Sequence, residues 1–395
     1  MAWITRKLNE LLVDAQPGFA CGEDDPSGVF QFRMNNLTTD GTLDFSKLRR
    51  VPQDIRNISK FHLSVGDVLF NATNSPELVG KTAFFPGHHE IAVYSNHFVR
   101  LRPKGDLLDG RYLARWLQCQ FRHRVFQSMC RQWVNQATVS REALLQLLIP
   151  LPPIAEQKRI AALLDKAEEL RGLRRKALGE LDAIVQSIFL EMFGDPNRNH
   201  KGIKSVYLSE VTTRITDGTH LTPQFIDAGV PFIFVKNVKN GNIDFRTDKF
   251  ISEKEYQKLY ERCPVEEGDV IYTTVGVTYG QAALVGSFTK FAFQRHIAHL
   301  KPDRNKILTQ FLEIVMQLPF VKRQADRWAR GAAQPTINLK ELREFVIPLP
   351  PLSLQQEFAR RVEAIEQLKA THRESLAHLD ALFASLQHRA FRGEL

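Results

Sequence analysis

Residues 149–195 read IPLPPIAEQKRIAALLDKAEELRGLRRKALGELDAIVQSIFLEMFGD. Pro152 and Pro153 end whatever regular element precedes them, because proline has no N–H to donate and a fixed φ. Beyond them apolar residues recur every third or fourth position up to Phe193, which predicts one long amphipathic helix. The chain writes this stretch twice. Residues 347–395 read IPLPPLSLQQEFARRVEAIEQLKATHRESLAHLDALFASLQHRAFRGEL. The offset is 198 at the first Ile (149 and 347), at Leu-Asp-Ala (181 and 379) and at the last Phe (193 and 391). A period of that length predicts two similar domains, each followed by one long helix.

Composition agrees with a folded chain of two or three domains: 395 residues, 43% of them hydrophobic. The net charge of +9 is a basic surplus that fits a polyanionic partner, nucleic acid above all. Cys21, Cys119, Cys130 and Cys263 are scattered, with no Cys-x-x-Cys pair and no Cys/His cluster, so reduced thiols are expected and no metal site. The start, MAWITRKLNELLVDAQPG, has no apolar run of signal-peptide length, and nowhere do 18 apolar residues follow one another. A cytoplasmic protein without membrane spans is the expectation.

The two heads repeat one order of mixed α and β segments. KLNEL (Leu8) is answered by YLSEV (Leu208), DGTLDF (Asp44) by NGNIDF (Asp244), SVGDVLFNATN (Gly66) by EEGDVIYTTVG (Gly268), and YSNHFVRLRP (His97) by FQRHIAHLKP (His296). QATVSREALLQLLIPLPP and QPTINLKELREFVIPLPP close the two copies. Offsets drift between 198 and 202, so the frame is shared and the loops differ. The predicted boundaries are a first domain at 1–148, a first helix at 149–195, a second domain at 196–346 and a second helix at 347–395.

With Ile160 placed at heptad position a, the stripe runs through Ile160, Leu163, Ala167, Leu170, Arg174, Leu181, Ile184 and Ile188. In the second copy it runs through Phe358, Ile365, Leu368, His372, Leu379, Leu382 and Leu386. Leu164, Leu178 and Val185, with Val362, Leu376 and Phe383, widen it at position e. About 40 residues at ~1.5 Å each make a rod of roughly 60 Å. The expected arrangement is an antiparallel coiled coil of the two helices between the two heads, with approximate two-fold symmetry. Arg174 and His372 would then form a polar layer at its middle that fixes register.

Catalytic signatures are missing from the sequence. ELVGKT (77–82) ends like a phosphate-binding loop, but Ser75 stands where the first Gly belongs. Gly-x-Gly-x-x-Gly, Gly-x-Ser-x-Gly and His-Glu-x-x-His do not occur, and Asp217 with His220 has no neighbouring nucleophile in sequence. Polar loops at equivalent places are better represented. In the first head they hold Arg33, Asn35 and Asn36; Asn71, Thr73, Asn74 and Lys81; and Asn96 with His97. In the second they hold Thr219, His220 and Thr222; Lys236, Asn237, Lys239 and Asn240; Thr274, Thr278, Tyr279 and Gln281; and Gln294 with Arg295. Lys meets phosphate as a point charge, and Asn bonds the adenine edge with two hydrogen bonds. Each such residue also serves as an ordinary turn or capping group; their recurrence in both heads is what favours binding.

With IPLPPIAEQKRI and IPLPPLSLQQEF, DGTHLTP with GVPFIFVKNV, and FNATNSPELVGKTAFF in view, the chain resembles the specificity (S) subunit of a type I restriction-modification enzyme over essentially its whole length. The resemblance implies two target recognition domains, each reading one half of a split, asymmetric site on double-stranded DNA. It implies helices that set the gap and dock two modification (M) subunits, with restriction (R) subunits joining through the complex. S-adenosylmethionine, ATP and Mg would belong to those partners, and this chain would hold no cofactor and perform no catalysis itself. One departure is LSLQQE where the first copy has IAEQKR, which makes unequal docking sites for M an expectation. An S subunit of a type IIB or methylation-only system, and a coiled-coil scaffold that binds no DNA, are the alternatives.

Overall fold

The computed structural model describes residues 3–46, 49–55, 57–132, 136–239, 241–276, 278–286, 290–331 and 334–395. It is mixed α and β, and it divides into two compact units. One comprises Met1–Arg175 with Glu374–Leu395, the other Lys176–Arg373. Each unit therefore takes the start of one long helix and the end of the other. The units part after Arg175 and after Arg373, which are repeat equivalents one residue beyond Arg174 and His372.

The first unit is built on an antiparallel sheet in the order Leu12–Pro17, Phe98–Pro103, Val68–Asn71, Thr82–Phe84. Val68, Leu69, Phe70 and Asn71 are all buried, so this central strand is covered on both faces. A second sheet sets Val29–Phe32 antiparallel to Arg50–Val51 and parallel to Ala92–Tyr94. Thr5–Lys7 pairs with Leu148–Pro150, which ties the start of the unit to the threshold of the long helix.

The second unit repeats these pairings. Its sheet runs Thr212–Asp217, Ile297–Pro302, Val270–Thr273, Ala282–Leu284. Val230–Ile233 lies between Phe250–Ile251 and Ala292–Phe293, again with one antiparallel and one parallel neighbour. Ser205–Tyr207 pairs with Val346–Pro348. The pairing of the edge strand slips at the same place in both, between Leu12 and Asp14 and between Thr212 and Arg214. A bulge kept at equivalent positions marks shared construction rather than local accident.

The long helices run Ile154–Phe193 and Leu352–Arg392. Each starts directly after its prolines and stops at a glycine with positive φ, Gly194 (+78°) and Gly393 (+76°). That left-handed residue is the usual helix terminator, since a Cβ there is strained. A buried glutamine fastens each helix start to its own unit. Gln157 accepts from the Asp109 amide (2.9 Å) and donates to the Leu107 and Pro152 carbonyls (2.9 and 2.8 Å). Gln355 accepts from the Leu308 amide (2.7 Å) and donates to Lys306 and Pro350 (3.2 and 2.8 Å). The departure between IAEQKR and LSLQQE thus spares the one residue that performs the fastening.

The heptad expectation is corrected at position d. Leu163 (37% exposed), Leu170 (42%), Ile184 (42%), Leu368 (44%) and Leu382 (51%) face outward. The buried stripe instead takes Ile160, Ala161, Leu164, Glu168, Arg171, Leu181, Val185, Phe189 and Phe193, and in the second helix Phe358, Val362, Lys369, Phe383, Gln387 and Ala390. Ala167, Ile188, Ile365 and Leu386 pack partly buried beside it. This spacing follows the ~3.6 residues per turn of a helix laid on a domain core, not the 3.5 of a two-helix seam. Ile160 and Leu164 join Phe70, Leu101, Tyr112 and Leu117 in the first core. Phe189, Phe193, Phe311 and Phe358 meet at ring-centroid distances of 5.2–5.9 Å in the second.

Charged pairs knit the two helices at repeat-equivalent places. In the first unit Arg171 pairs with Asp380 and Glu168 (both 2.5 Å) and lies over the Phe383 ring. In the second Lys369 pairs with Asp182 (2.7 Å) and Glu366. Arg361 reaches Glu191 (3.4 Å), so the two segments run antiparallel within this unit. Among the described residues no helix is long and apolar enough to cross a membrane.

Candidate nucleic-acid interface

At one end of each central strand three loops share backbone hydrogen bonds. In the first unit the Ala72 amide donates to the His97 carbonyl (2.9 Å), and the Val139 amide donates to Ala72 (2.9 Å). In the second the Thr274 amide donates to His296 (3.0 Å), and the Ile337 amide to Thr274 (2.9 Å). Each unit thus joins the loop leaving its central strand, the turn before the next long strand and a segment near the last short helix. A rigid sheet end that carries several irregular loops is a common platform for recognition.

The structure separates the polar candidates into framework and surface. Five are corrected to framework: Asn36, Asn71, Lys81, Asn237 and Thr274 are buried with inward partners. Asn36 accepts from the Arg33 amide (2.9 Å) and donates to the Asp44 carbonyl (2.9 Å). Asn237 repeats this with Phe234 (3.1 Å) and Asp244 (2.9 Å). Asn71 donates to the Thr73 and His97 carbonyls (both 3.1 Å), and Thr274 donates its hydroxyl to His296 (3.0 Å). Lys81 donates to the Met34 and Leu37 carbonyls (3.2 and 2.5 Å), and burial lowers its pKa. Backbone carbonyls stranded in irregular loops need such donors, so these side chains face in.

What remains at the surface differs between the units. Asn35 and Asn96 are exposed in the first, with Arg33, Thr73, Asn74 and His97 half-buried. In the second, His220, Thr222, Lys236, Lys239, Thr278 and Arg295 are exposed, and Thr219, Tyr279, Gln281 and Gln294 half-buried. Asn240 lies outside the described residues.

The DGTH and FQRH turns are brought together, although 75 positions separate Thr219 from Gln294 in sequence. Thr219 bridges Gln294, and the Arg295 amide donates to the Thr219 carbonyl (2.9 Å). His220 bonds Asp217 (2.7 Å). Burial, with Arg295 and His220 close by, lowers the pKa of His296, which favours a neutral imidazole. The first unit has the same turn-to-turn contact, Phe19 with Ser95, and the Asn96 amide donates to Phe19 (3.0 Å). Tyr279 is turned partly to its own unit. Its hydroxyl bonds Asp326 (2.5 Å), and Lys322 sits 4.0 Å from its ring centre.

Sequence reading missed the third loop. Arg131–Gln132 pairs with Ala137–Thr138, which pairs in turn with Thr73–Asn74. Thr336 likewise bridges both Arg330 and Val275. Arg131 and Arg330 are exposed, which puts a cation beside the central loop of each unit. The signal was the repeated Gln-x-Thr, Gln136 to Thr138 and Gln334 to Thr336, with an Arg a few residues earlier in each copy. Exposed Asn, Gln, Thr and Arg with flanking Lys are a set able to bond base edges and phosphates together.

The comparisons with known proteins fit this two-unit plan. The model of the family described as type I restriction modification DNA specificity domain matches residues 3–181 and again 201–380. A putative type I restriction enzyme MjaX specificity subunit of Methanocaldococcus jannaschii is 25% identical over 402 residues, spanning 100% of this chain and 93% of that protein. The type I restriction enzyme EcoKI specificity subunit of Escherichia coli is 23% identical over 389 residues, 92% of this chain and 82% of the relative. The crystal structure of a type I restriction-modification system S subunit from M. genitalium shares the fold with a TM-score of 0.52, at 16% identity, over 98% of this chain and 96% of that one. With the family matched once in each half of the chain, this protein belongs to the type I restriction-modification DNA specificity family.

Proposed function

We propose that each unit reads one half of a bipartite, asymmetric site on double-stranded DNA, and that the chain itself is non-catalytic. The observation that carries this is the pairing of one backbone plan with two different sets of surface side chains. The equivalent loops offer Asn35, Asn96 and Arg131 in the first unit and His220, Lys236, Arg295 and Arg330 in the second. A shared frame presents its loops to DNA in the same manner, and unlike loops read unlike bases, so the combined site is not a palindrome. The basic charge supplies affinity without sequence preference, and the loop residues supply discrimination.

Chemistry on the DNA then falls to partners. Two modification subunits carrying S-adenosylmethionine would dock on the long helices, whose outward Leu170, Ile184, Leu368 and Leu382 offer apolar surface. Restriction subunits with ATP and Mg would join through that assembly. The test replaces residues 1–148 with the first domain of another family member and sequences the methylome of a host carrying the full complex. One half of the methylated site is expected to change and the other to stay. A change in both halves would overturn the division of labour.

A further inference from the structure

The second unit holds a cluster that DNA reading does not use. Cys263 Sγ lies 3.3 Å from His299 Nδ1, and His299 Nε2 lies 2.7 Å from Asp269 Oδ2. The Thr216 hydroxyl is 3.2 Å from the same sulfur and can donate to it. His299 and Asp269 are 0% and 1% exposed, whereas Cys263 is 9% exposed and lines a small cleft of about 20 Å3. Asp217, Thr219, Arg262, Tyr256, Tyr260 and Phe291 are among the residues that line it.

The first unit provides an internal comparison. At the position of His299 it has Arg100, whose guanidinium donates to the Lys60 and His62 carbonyls (3.0 and 2.9 Å) and pairs with Asp14. A permanent cation there satisfies its neighbours and leaves nothing to give or take a proton. The second unit replaces it by thiol, imidazole and carboxylate in series, which is the order of groups that activates a nucleophile.

We propose that Cys263 is a nucleophilic thiol, activated by His299 and oriented through Asp269, that is modified by small uncharged electrophiles reaching the sulfur at its exposed edge. His299, protonated on both ring nitrogens at pH 7, donates from Nδ1 to the sulfur while Asp269 holds the Nε2–H, and the thiol proton leaves to solvent. The sulfur lone pair forms an S–C bond to the electrophilic carbon, the bond to the leaving group breaks, and the leaving group departs with its electron pair. Thr216 supports the developing thiolate as a second donor. His299, which burial disfavours as a cation, is pushed up to about 9 because hydrogen bonds to Asp269 and Cys263 outweigh burial, in keeping with an imidazolium beside the sulfur. By contrast Cys119, though 3.5 Å from His123, is pushed up to about 11 by burial.

The probe is iodoacetamide, applied to the native full-length chain at pH 7, with carbamidomethylation of each cysteine followed by peptide mass mapping. Cys263 is expected to react about tenfold faster than the more exposed Cys21 and Cys130, since His299 and Thr216 donate to the charge its sulfur develops in attack. In urea the four rates should converge, because only the fold brings His299 to the sulfur. His299→Gln and Asp269→Asn should each remove the advantage of Cys263. Should either variant fail to fold, the native-to-urea comparison decides. A native Cys263 rate at or below that of Cys21, or an advantage that survives urea or a folded His299→Gln variant, would overturn the proposal. DNA reading does not enter any of these measurements, so the outcome is independent of that function.

Discussion

Asn36 and Asn237 show how a polar loop residue divides its allegiance. Both were readable as base-contacting amides, and both spend their amides on the backbone of their own turn. Removing one leaves buried backbone groups unpaired, which costs roughly 1–3 kcal/mol. Asn36→Ala should therefore lower the melting temperature of the chain, while the methylated sequence stays the same; an altered sequence with unchanged stability would contradict the framework role. His299 gives a pH dependence with a definite sign. Its folded pKa, pushed up to about 9, lies above the ~6.5 of an unfolded histidine. The folded state thus binds more protons over that window, and the stabilisation is full below about pH 6.5 and lost as pH rises through 9. Glu313, pushed up to about 8 by burial and the neighbouring Glu366, acts in the same direction from the ordinary carboxylate range up to about 8. The decline between about pH 8 and 9 is therefore the part assigned to His299, since burial of Cys119 adds its own loss only from about pH 9 upward. Thermal melts of wild type and His299→Gln should diverge there, with the variant showing the flatter profile.

The long helices owe their course to what they lie on. A stripe through Ile160, Leu164, Glu168 and Arg171 belongs to a helix bedded on a domain. It buries charged residues because Arg122 and Arg171 pair with Glu168, and Asp380 pairs with Arg171, within the same unit. Replacing one member would strand the others, whereas the outward Leu170 and Leu368 carry no such penalty. The fastenings at Gln157 and Gln355 sit at the helix starts, far in sequence from the unit boundaries at Arg175 and Arg373. Seven residues inserted after each boundary turn the stripe by only about 20°. Such a double insertion should leave both units folded and both half-sites unchanged, and should lengthen the unspecified gap between them. Methylome sequencing reads this directly; an unchanged gap would separate the helices from spacing.

At the scale of the whole molecule the chain is one design used twice with unlike surfaces. Equivalent sheets, equivalent bulges and equivalent glutamine fastenings hold loops that differ in charge and in hydrogen-bonding groups. Duplication explains why exchange of residues 1–148 should alter half of the reading: the first unit's sheets and loops close on themselves within one compact body. It also explains why chemistry can differ between the units without disturbing the frame. His299 and Arg100 occupy one site in the plan, and each satisfies its carboxylates with its own geometry.

The repeat and the family were legible in the sequence, because a constant 198-residue offset and paired prolines are properties of the chain order itself. The burial of the helix faces was not. Position d looked like a seam on an isolated heptad wheel, yet Leu163 and Leu382 point outward, since the domain core, and not the sister helix alone, chooses the buried face. Nor could sequence divide Asn36, Asn71 and Lys81 from Asn35 and Asn96. That division depends on which carbonyls the loops leave unpaired after closure, and the carbonyls of Leu37, Asp44 and His97 take shape only in the folded unit. Cys263 and His299 stand 36 positions apart, and only the sheet sets sulfur and imidazole within hydrogen-bonding reach.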